Sequence, residues 1–351
     1  MSADPVSATF EPEDAAKLLD VRGLTIHLKV RDRVVKAADG VDLSVSAGEC
    51  VGLVGESGSG KTMVARAVIG LLPTVRLECC DGEIMLDGTE MLGLRTKELR
   101  RARRGRVSMI FQEPTSYLNP TMRIGTQVAE ALPKGTDRRH AIERVQSLLA
   151  QAGLPRGQQI ERRYPHQLSG GMKQRAMIAL ALASNPKLLI ADEPSTALDV
   201  TVQAQVLRTL KHLHQERGMA ILLITHDLGV IAEMCDRVYV MYAGEIVESA
   251  DTLTLFENPR HPYTRLLLES LPHRRRDGEG AALKGSIPDL SMLGSGCRFM
   301  PRCPFATDAC REQQRLRVRP DGQAVRCILE DASDAETGAD EYPTLRPAGR
   351  S

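Results

Sequence analysis

The stretch CVGLVGESGSGKTMVARAVIGLL, residues 50–72, carries the strongest fold signal in this chain. Its apolar start, CVGLVG, predicts a buried strand, and TMVARAVIGLL predicts a helix that ends before Pro73. Residues 55–62 fit the pattern G-x-x-x-x-G-K-[ST], whose backbone N–H groups surround phosphate oxygens at a helix N-terminus. A strand, a glycine-rich loop and a helix in this order predict a P-loop nucleotide site in an α/β fold.

The polar residues of this loop have separate expected tasks. Lys61 is expected to reach the β- and γ-phosphates of a bound nucleotide, and the Thr62 hydroxyl is expected to ligate Mg²⁺. The residues of the loop that we predict to bind ATP are Gly55, Ser57, Gly58, Ser59, Gly60, Lys61 and Thr62.

A second motif, LLIADE at residues 188–193, places two carboxylates at the end of another apolar strand. The C-terminal edge of an α/β sheet is where such folds bind ligands. Asp192 is expected to hold Mg²⁺ through water, and Glu193 is expected to polarise the attacking water as a general base. An apolar run that ends in two acids is a weak signal alone and a strong one downstream of a P-loop.

The composition is that of an ordinary globular protein and excludes several classes. Of the 351 residues, 42% are hydrophobic and 26% are charged. The 46 basic and 45 acidic residues leave a net charge of +1, which gives no general attraction to nucleic acid. No apolar run approaches the roughly 18 residues of a membrane span, and the acidic N-terminus lacks the apolar region of a signal peptide. We therefore expect a cytosolic protein.

Three further motifs follow one another in a characteristic order. LSGGM occupies residues 168–172, STALD residues 195–199 and THD residues 225–227. With the P-loop and LLIADE, this order over roughly residues 20–270 resembles the nucleotide-binding subunit of ABC transporters. The resemblance implies the ABC ATPase form of the P-loop NTPase fold, with a RecA-like core, an antiparallel β subdomain and an α-helical subdomain.

The resemblance also implies roles for individual residues. Gln112 is then the glutamine that contacts Mg²⁺ and the γ-phosphate, Asp199 the D-loop aspartate and His226 the switch histidine that helps to orient water. With Glu193, Gln112 and His226 form the implied catalytic set. ATP would be sandwiched between one subunit's P-loop and the LSGG residues of a second subunit, namely Ser169, Gly170 and Gly171.

One position departs from the family pattern. Subunits of this family usually place an aromatic side chain on adenine before the P-loop, and alignment puts Val35 there. A valine can pack on the base but has no π face. Val35 is therefore the expected adenine contact, and His27 is the alternative.

Finer matches narrow the resemblance to one branch of bacterial importers. YPHQLSGGM at residues 164–172, LDVTVQAQ at 198–205, RHPYT at 260–264 and GCRFMPRCPFATDAC at 296–310 are similar to the dipeptide/oligopeptide/nickel branch. This implies an ATP-hydrolysing subunit that powers uptake of di- and oligopeptides. Nickel or another small solute of the same family is the alternative cargo.

Four cysteines near the end of the chain form a separate candidate site. Their spacing, C-x₅-C-x₆-C-x₁₆-C, lacks the C-x₂-C pairs of ordinary zinc sites. Four thiolates can hold a [4Fe–4S] cluster, and the resemblance implies one here; zinc, free thiols and disulfides stay open. The predicted ligands are Cys297, Cys303, Cys310 and Cys327.

We divide the chain as follows. Residues 1–20 are predicted to be a leader and 21–270 the nucleotide-binding domain, with a helical subdomain at about 113–185. Residues 271–330 are predicted to be a cysteine-rich C-terminal extension, and 331–351 a disordered acidic tail.

The resemblance implies partners at the cytoplasmic face of the membrane. These are a second ATPase subunit (a sister subunit or an identical copy), two transmembrane permeases and, indirectly, an extracytoplasmic solute-binding protein; no nucleic acid is implied. An ABC ATPase of DNA maintenance is disfavoured because only about 50 residues, without heptads, separate Gln112 from Leu168. A translation ATPase would carry two cassettes, whereas this chain has one P-loop.

Overall fold

The computed structural model describes residues 17–155, 159–194, 199–271 and 285–329. Residues 1–16 of the predicted leader, residues 195–198 of the STALD motif and the predicted tail at 331–351 lie outside these ranges.

Strands and helices alternate along most of the described chain. The strands are β1 Lys17–Val30, β2 Arg33–Ser46, β3 Cys50–Val54, β4 Leu77–Leu86, β5 Thr89–Glu90, β6 Val107–Ile110, β7 Leu188–Asp192, β8 Ala220–Thr225, β9 Arg237–Tyr242, β10 Glu245–Asp251, β11 Arg317–Val318 and β12 Ala324–Val325. The helices are α1 Lys61–Val68, α2 Thr96–Arg103, α3 Pro114–Tyr117, α4 Ile124–Glu130, α5 Arg138–Gln151, α6 Gly170–Ala183, α7 Val200–Arg217, α8 Leu228–Met234, α9 Thr252–Glu257 and α10 Pro262–Glu269.

The core is one sheet with strand order β11-β12-β10-β9-β3-β8-β7-β6. Strands β6, β7, β8, β3 and β9 are parallel, and β10 and β12 extend the sheet in antiparallel fashion. Both faces are buried: in β3, Val51 and Leu53 pack into one apolar core, while Cys50 and Val54 pack into the other. Parallel strands covered on both sides are what apolar runs such as LLIAD predict, so the α/β class is confirmed.

A second, antiparallel sheet with order β2-β1-β4-β5 packs beside this core. Strand β1 begins at Lys17 and so includes the last four residues of the predicted leader. Leu19 and Val21 are buried on one face of the strand. Burial of these apolar side chains stabilises the pairing of this segment with the sheet. Cys79 and Cys80 lie in β4, opposite His27 and Ile26.

The helix after the P-loop is shorter than its apolar pattern predicts. Helix α1 ends at Val68, four residues before the predicted end at Leu72. Gly70 follows in a left-handed conformation, φ +60°, which suits glycine and ends the helix before Pro73 is reached. Four helices, α3 to α6, separate β6 from β7, where the helical insert was predicted.

The C-terminal part of the described chain packs back onto the core. Residues 285–329 contain two short strands, β11 and β12, and β12 pairs with β10 at the edge of the main sheet. The backbone N–H of Lys36 in β2 donates to the Leu290 carbonyl at 3.1 Å. Within the described ranges, no helix combines the length and apolar character needed to cross a membrane.

Candidate nucleotide-binding site

The loop between β3 and α1 turns sharply at two glycines. Gly55 and Gly60 have φ values of +153° and +108°. A Cβ atom on Gly60 would lie 2.0 Å from the Ala37 carbonyl oxygen, and one on Gly55 would lie 2.1 Å from the Met241 carbonyl oxygen. Both positions therefore require glycine, and the resulting turn places the start of α1 at the C-terminal edge of the sheet.

Lys61 is buried at the centre of this loop. Its Nζ donates to the Gly55 carbonyl at 2.7 Å, the Glu56 carbonyl at 2.8 Å and Ser59 Oγ at 3.2 Å. Burial lowers the pKa of Lys61 to about 8, although the nearby carboxylates of Glu193 and Asp192 oppose this shift. The ammonium is thus poorly solvated, and anionic phosphates would be favourable partners for it.

Asp192 reaches the same place from the end of β7. Its side chain is 2% exposed, and Thr62 Oγ1 donates to its Oδ1 at 3.2 Å. Burial raises the pKa of Asp192, and the hydrogen bond from Thr62 partly offsets this. Thr62 of the P-loop and Asp192 of LLIADE, which are both predicted to hold Mg²⁺, are therefore in direct contact.

Glu193 connects the remaining residues of the predicted catalytic set. Gln112 Nε2 donates to its Oε2 at 2.9 Å, and His226 Nδ1 lies 3.4 Å from its Oε1. Glu193 has φ +45°, a left-handed conformation that is uncommon for a residue with a side chain, and its N–H bonds the Ile224 carbonyl at 2.8 Å. The sequence offered no signal for this strained backbone, which directs the carboxylate toward the end of β6 and the end of β8.

The LSGG and D-loop residues lie at the start of two helices. Ser169 caps α6 and accepts the N–H of Met172 at 3.4 Å, while Asp199 caps α7 and accepts the N–H of Val202 at 2.9 Å. Ser169, Gly170 and Asp199 are exposed. A Cβ on Gly171 would lie 2.6 Å from the Val202 side chain, so glycine permits close packing of α6 on α7.

Asp227 follows His226, the predicted switch histidine, and was missed as a site residue. It caps α8 by accepting the N–H groups of Gly229 at 2.8 Å and Val230 at 3.3 Å. This cap begins the helix immediately after His226 and holds that residue at the end of β8. An Asp directly before an apolar helical stretch is the signal that could have identified it.

Val35 and His27 lie on opposite faces of the β1–β2 ribbon. Val35 pairs with Leu28, and His27 pairs with the next residue, Lys36. His27 Nε2 lies 3.8 Å from Asp39 Oδ1. His27 therefore does not share the face of Val35.

The four cysteines of the predicted cluster site line one narrow cavity with apolar side chains that include Phe299 and Phe305. Burial raises the pKa of Cys297, and it raises the pKa of Cys303 to about 11. In the parts of the chain that the structure describes, no three His, Cys, Asp or Glu side chains are grouped so as to hold a metal ion. The predicted iron–sulfur site is thus not found as a formed metal centre.

Comparison with known proteins agrees with this geometry. A family model described as ABC transporter matches residues 38–196, and one described as oligopeptide/dipeptide transporter, C-terminal region, matches residues 247–310. The oligopeptide transport ATP-binding protein AppD of Bacillus subtilis is 47% identical over 325 residues, which cover 91% of this chain and 98% of AppD. The chain belongs to the ATP-binding subunits of oligopeptide/dipeptide ABC transporters.

Other relatives of this ABC family support the same assignment. The dipeptide transport ATP-binding protein DppD of Escherichia coli is 44% identical over 90% of this chain and 98% of its own length. Among solved structures, the dimeric post-hydrolysis state of the ATP-binding cassette MJ0796 with ADP and Pi is similar, with a TM-score of 0.60 and 27% identity. It covers 67% of this chain and 98% of its own. This ABC subunit is accordingly an ATPase, and the predicted ABC ATPase fold is confirmed.

Proposed function

We propose that this subunit hydrolyses ATP to power uptake of di- and oligopeptides through a membrane importer. The carrying observation is the contact of Glu193 with Gln112 and His226, next to the Thr62–Asp192 pair and Lys61. General base, γ-phosphate sensor and phosphate-binding loop then meet at one edge of the sheet. The peptide cargo is inferred from the names of the relatives, AppD and DppD.

Each residue has a task that follows from its chemistry. Lys61 and the P-loop amides bind the phosphates, while Thr62, Asp192 and Gln112 would hold Mg²⁺, which when bound neutralises phosphate charge. Glu193 accepts the proton of the attacking water, and His226 orients that water against the γ-phosphate. Val35 packs on the adenine.

A second subunit completes the site. Ser169, Gly170 and Gly171 offer a hydroxyl and backbone N–H groups at the start of α6, a favourable anion site that has no P-loop of its own. Since Ser169, Gly170 and Asp199 are exposed, they are free to face the P-loop of a partner cassette. ATP then joins two subunits, a sister or an identical copy, and hydrolysis releases them.

The subunit acts at the cytoplasmic face of the membrane with two permeases, and an extracytoplasmic solute-binding protein delivers the cargo. We propose that the nucleotide-binding domain runs from the start of β1 at Lys17 to residue 270, with its helical subdomain at about 113–185, and that residues 271–330 form the cysteine-rich extension. The near-zero net charge supports the absence of a nucleic-acid partner.

Uptake measurements in a strain that lacks the gene test this function. Accumulation of labelled di- and oligopeptides is expected to fall to background and to return with the wild-type gene but not with Glu193→Gln. Accumulation of labelled nickel in the same cells is the control. Loss of nickel uptake with normal peptide uptake would favour the alternative cargo, and co-purification with DNA or ribosomes instead of membranes would contradict transport.

The family resemblance leads to a further proposal: the four cysteines would hold a [4Fe–4S] cluster when it is inserted, although the described structure does not group them as a formed metal site. Support comes from the donor set, since four thiols border one apolar cavity and such clusters are held by cysteine thiolates. The raised pKa values of Cys297 and Cys303 mean that metal binding must displace protons from these thiols. We propose that the bound cluster would stabilise the fold of residues 285–329.

Metal analysis of anaerobically purified protein tests the cluster. Wild type is expected to be brown, with iron and sulfide in proportion to protein, and Cys303→Ser is expected to lose most of both. Cys79→Ser, in β4, is the matched control and should keep them. Colourless protein that contains zinc, or that contains no metal, would contradict the cluster.

A further inference from the structure

Glu56, the residue after Gly55 in the P-loop, is held by two side chains from the C-terminal part of the chain. Its backbone N–H donates to the Tyr263 hydroxyl at 2.9 Å. Its carboxylate accepts two bonds from Arg302, Nη1 to Oε2 at 2.8 Å and Nη2 to Oε1 at 2.9 Å. Paired bonds of this kind between a guanidinium and a carboxylate combine charge with a fixed orientation. We call Tyr263 and Arg302 the brace.

Both side chains of the brace pack into an aromatic cluster. Tyr263 is 0% exposed and packs against Tyr242 and Phe299, with ring centroids 4.6 Å and 5.4 Å away. The Arg302 side chain is 7% exposed, and its guanidinium carbon lies 5.8 Å from the Tyr242 ring centroid and 5.9 Å from that of Phe299. Arg302 Nη1 also donates to the Tyr242 hydroxyl at 3.3 Å. Neither side chain can move without repacking this aromatic cluster.

The RHPYT stretch supplies Tyr263 and is itself anchored to the main sheet. The buried carboxylate of Glu248 in β10 accepts the backbone N–H groups of Arg260 at 2.7 Å and His261 at 2.9 Å. His261 Nδ1 in turn accepts the N–H of Tyr263 at 3.1 Å. Gln323, beside β12, donates to the same carboxylate at 2.7 Å. The motif thus joins β10, β12 and the P-loop.

Glu56 transmits this anchoring to the phosphate site. Its carbonyl accepts from Lys61 Nζ at 2.8 Å and from the Ser59 N–H at 3.2 Å. The backbone of Glu56 therefore connects the Tyr263 hydroxyl, through its N–H, with the Lys61 ammonium and the Ser59 N–H, through its carbonyl. A loop that is already ordered before the ligand binds loses less conformational entropy on binding, and its affinity for the ligand is therefore higher.

We propose that Tyr263 and Arg302 are positioning residues of the ATP site, which act through Glu56 and set its affinity for MgATP. This inference rests on the proposed function of the P-loop, and it assigns a task to the RHPYT motif and to the arginine next to Cys303. The C-terminal extension then influences nucleotide binding directly and not through stability alone.

Titration of the purified full chain with MgATP tests the brace. Tyr263→Phe removes one oxygen and leaves the Glu56 N–H without its partner, which is expected to raise the Kd about fivefold to tenfold. Arg302→Gln is expected to raise it by about tenfold or more, with partial recovery in Arg302→Lys. At saturating ATP, kcat is expected to stay within about twofold of wild type, since neither residue touches the reacting atoms.

Two matched controls separate positioning from stability. Tyr239→Phe removes a buried hydroxyl that accepts the Ser44 N–H at 3.0 Å, the same type of bond away from the P-loop. Arg326→Gln removes an arginine of the C-terminal part whose bonds go to the Ile246 and Gln314 carbonyls. Both are expected to lower the melting temperature and leave the Kd for MgATP unchanged.

A double-mutant cycle tests whether Arg302 affects MgATP binding through Glu56. If Arg302 acts through the Glu56 carboxylate, Glu56→Gln with Arg302→Gln binds MgATP no more weakly than Arg302→Gln alone. The proposal would be overturned if Tyr263→Phe bound MgATP with wild-type affinity, or if Tyr239→Phe lost as much affinity as Tyr263→Phe. If Arg302→Gln does not fold, the affinity of Tyr263→Phe alone decides the test. Neither outcome contradicts the proposed function. A wild-type chain that binds no MgATP would contradict both the proposed function and the role of the brace.

Discussion

Replacement of Glu193 by Gln is expected to lower kcat for ATP hydrolysis by about 10²–10⁴-fold, the usual contribution of a general base. The amide keeps the size of the side chain and can still bond Gln112 or His226. It cannot accept a proton from water, so the chemical step loses its base while the phosphate site stays intact. ATP-driven pairing of subunits is therefore expected to persist, because bound ATP is no longer removed.

Steady-state turnover and light scattering with MgATP measure these two effects separately. Glu113→Gln is the matched control, since this nearby exposed carboxylate bonds Ser116 at 3.1 Å and lies outside the catalytic set. It should hydrolyse ATP at the wild-type rate. Normal turnover by Glu193→Gln would exclude Glu193 as the base.

Lys61→Ala is expected to weaken MgATP binding about 100-fold. Hydrogen bonds to charged groups contribute about 1.5–3 kcal/mol each, and Lys61 is buried where water cannot replace it. Calorimetric titration checks the prediction. Lys187→Ala is the control, since this lysine pairs with Asp87 at 2.8 Å at the opposite end of β7 and should leave the affinity unchanged. Equal weakening in both variants would show that the loss is not specific to the P-loop.

The affinity of Lys61 for phosphate also has an expected pH dependence. Its pKa of about 8 lies below the ordinary 10.5, so the free site loses its proton as the pH rises through 8. ATP needs the ammonium form, hence the affinity is expected to fall by up to about tenfold per pH unit above 8. The residual affinity of Lys61→Ala should lack this slope. A flat profile in wild type would contradict the lowered pKa.

Strong local patterns were enough to predict the central elements. A glycine-rich loop between an apolar strand and a helix can satisfy its backbone N–H groups in few ways, so residues 50–72 predicted both β3 and the P-loop. The apolar run before Asp192 likewise predicted β7, because a short apolar run is typical of a parallel strand that is buried on both faces.

Weaker local patterns led to errors. Strand β1 begins at Lys17, before the predicted boundary, because its hydrogen-bonding partners in β2 and β4 are distant in sequence. Helix α1 ends at Val68 because Gly70 adopts a left-handed turn, which the continuing apolar pattern hid. Strand pairing places His27, the alternative adenine contact, on the other face from Val35.

The amino-acid sequence alone determined the identity of the phosphate loop, the two acids after β7 and the order of the family motifs. These follow from short-range chemistry, since neighbouring residues supply the required backbone turns and charges. Only the tertiary structure brought Gln112 and His226 to Glu193, and Tyr263 and Arg302 to Glu56. Residues separated by 33 to 246 positions meet there because sheet order and core packing, which no local pattern encodes, bring their strands and loops to one edge.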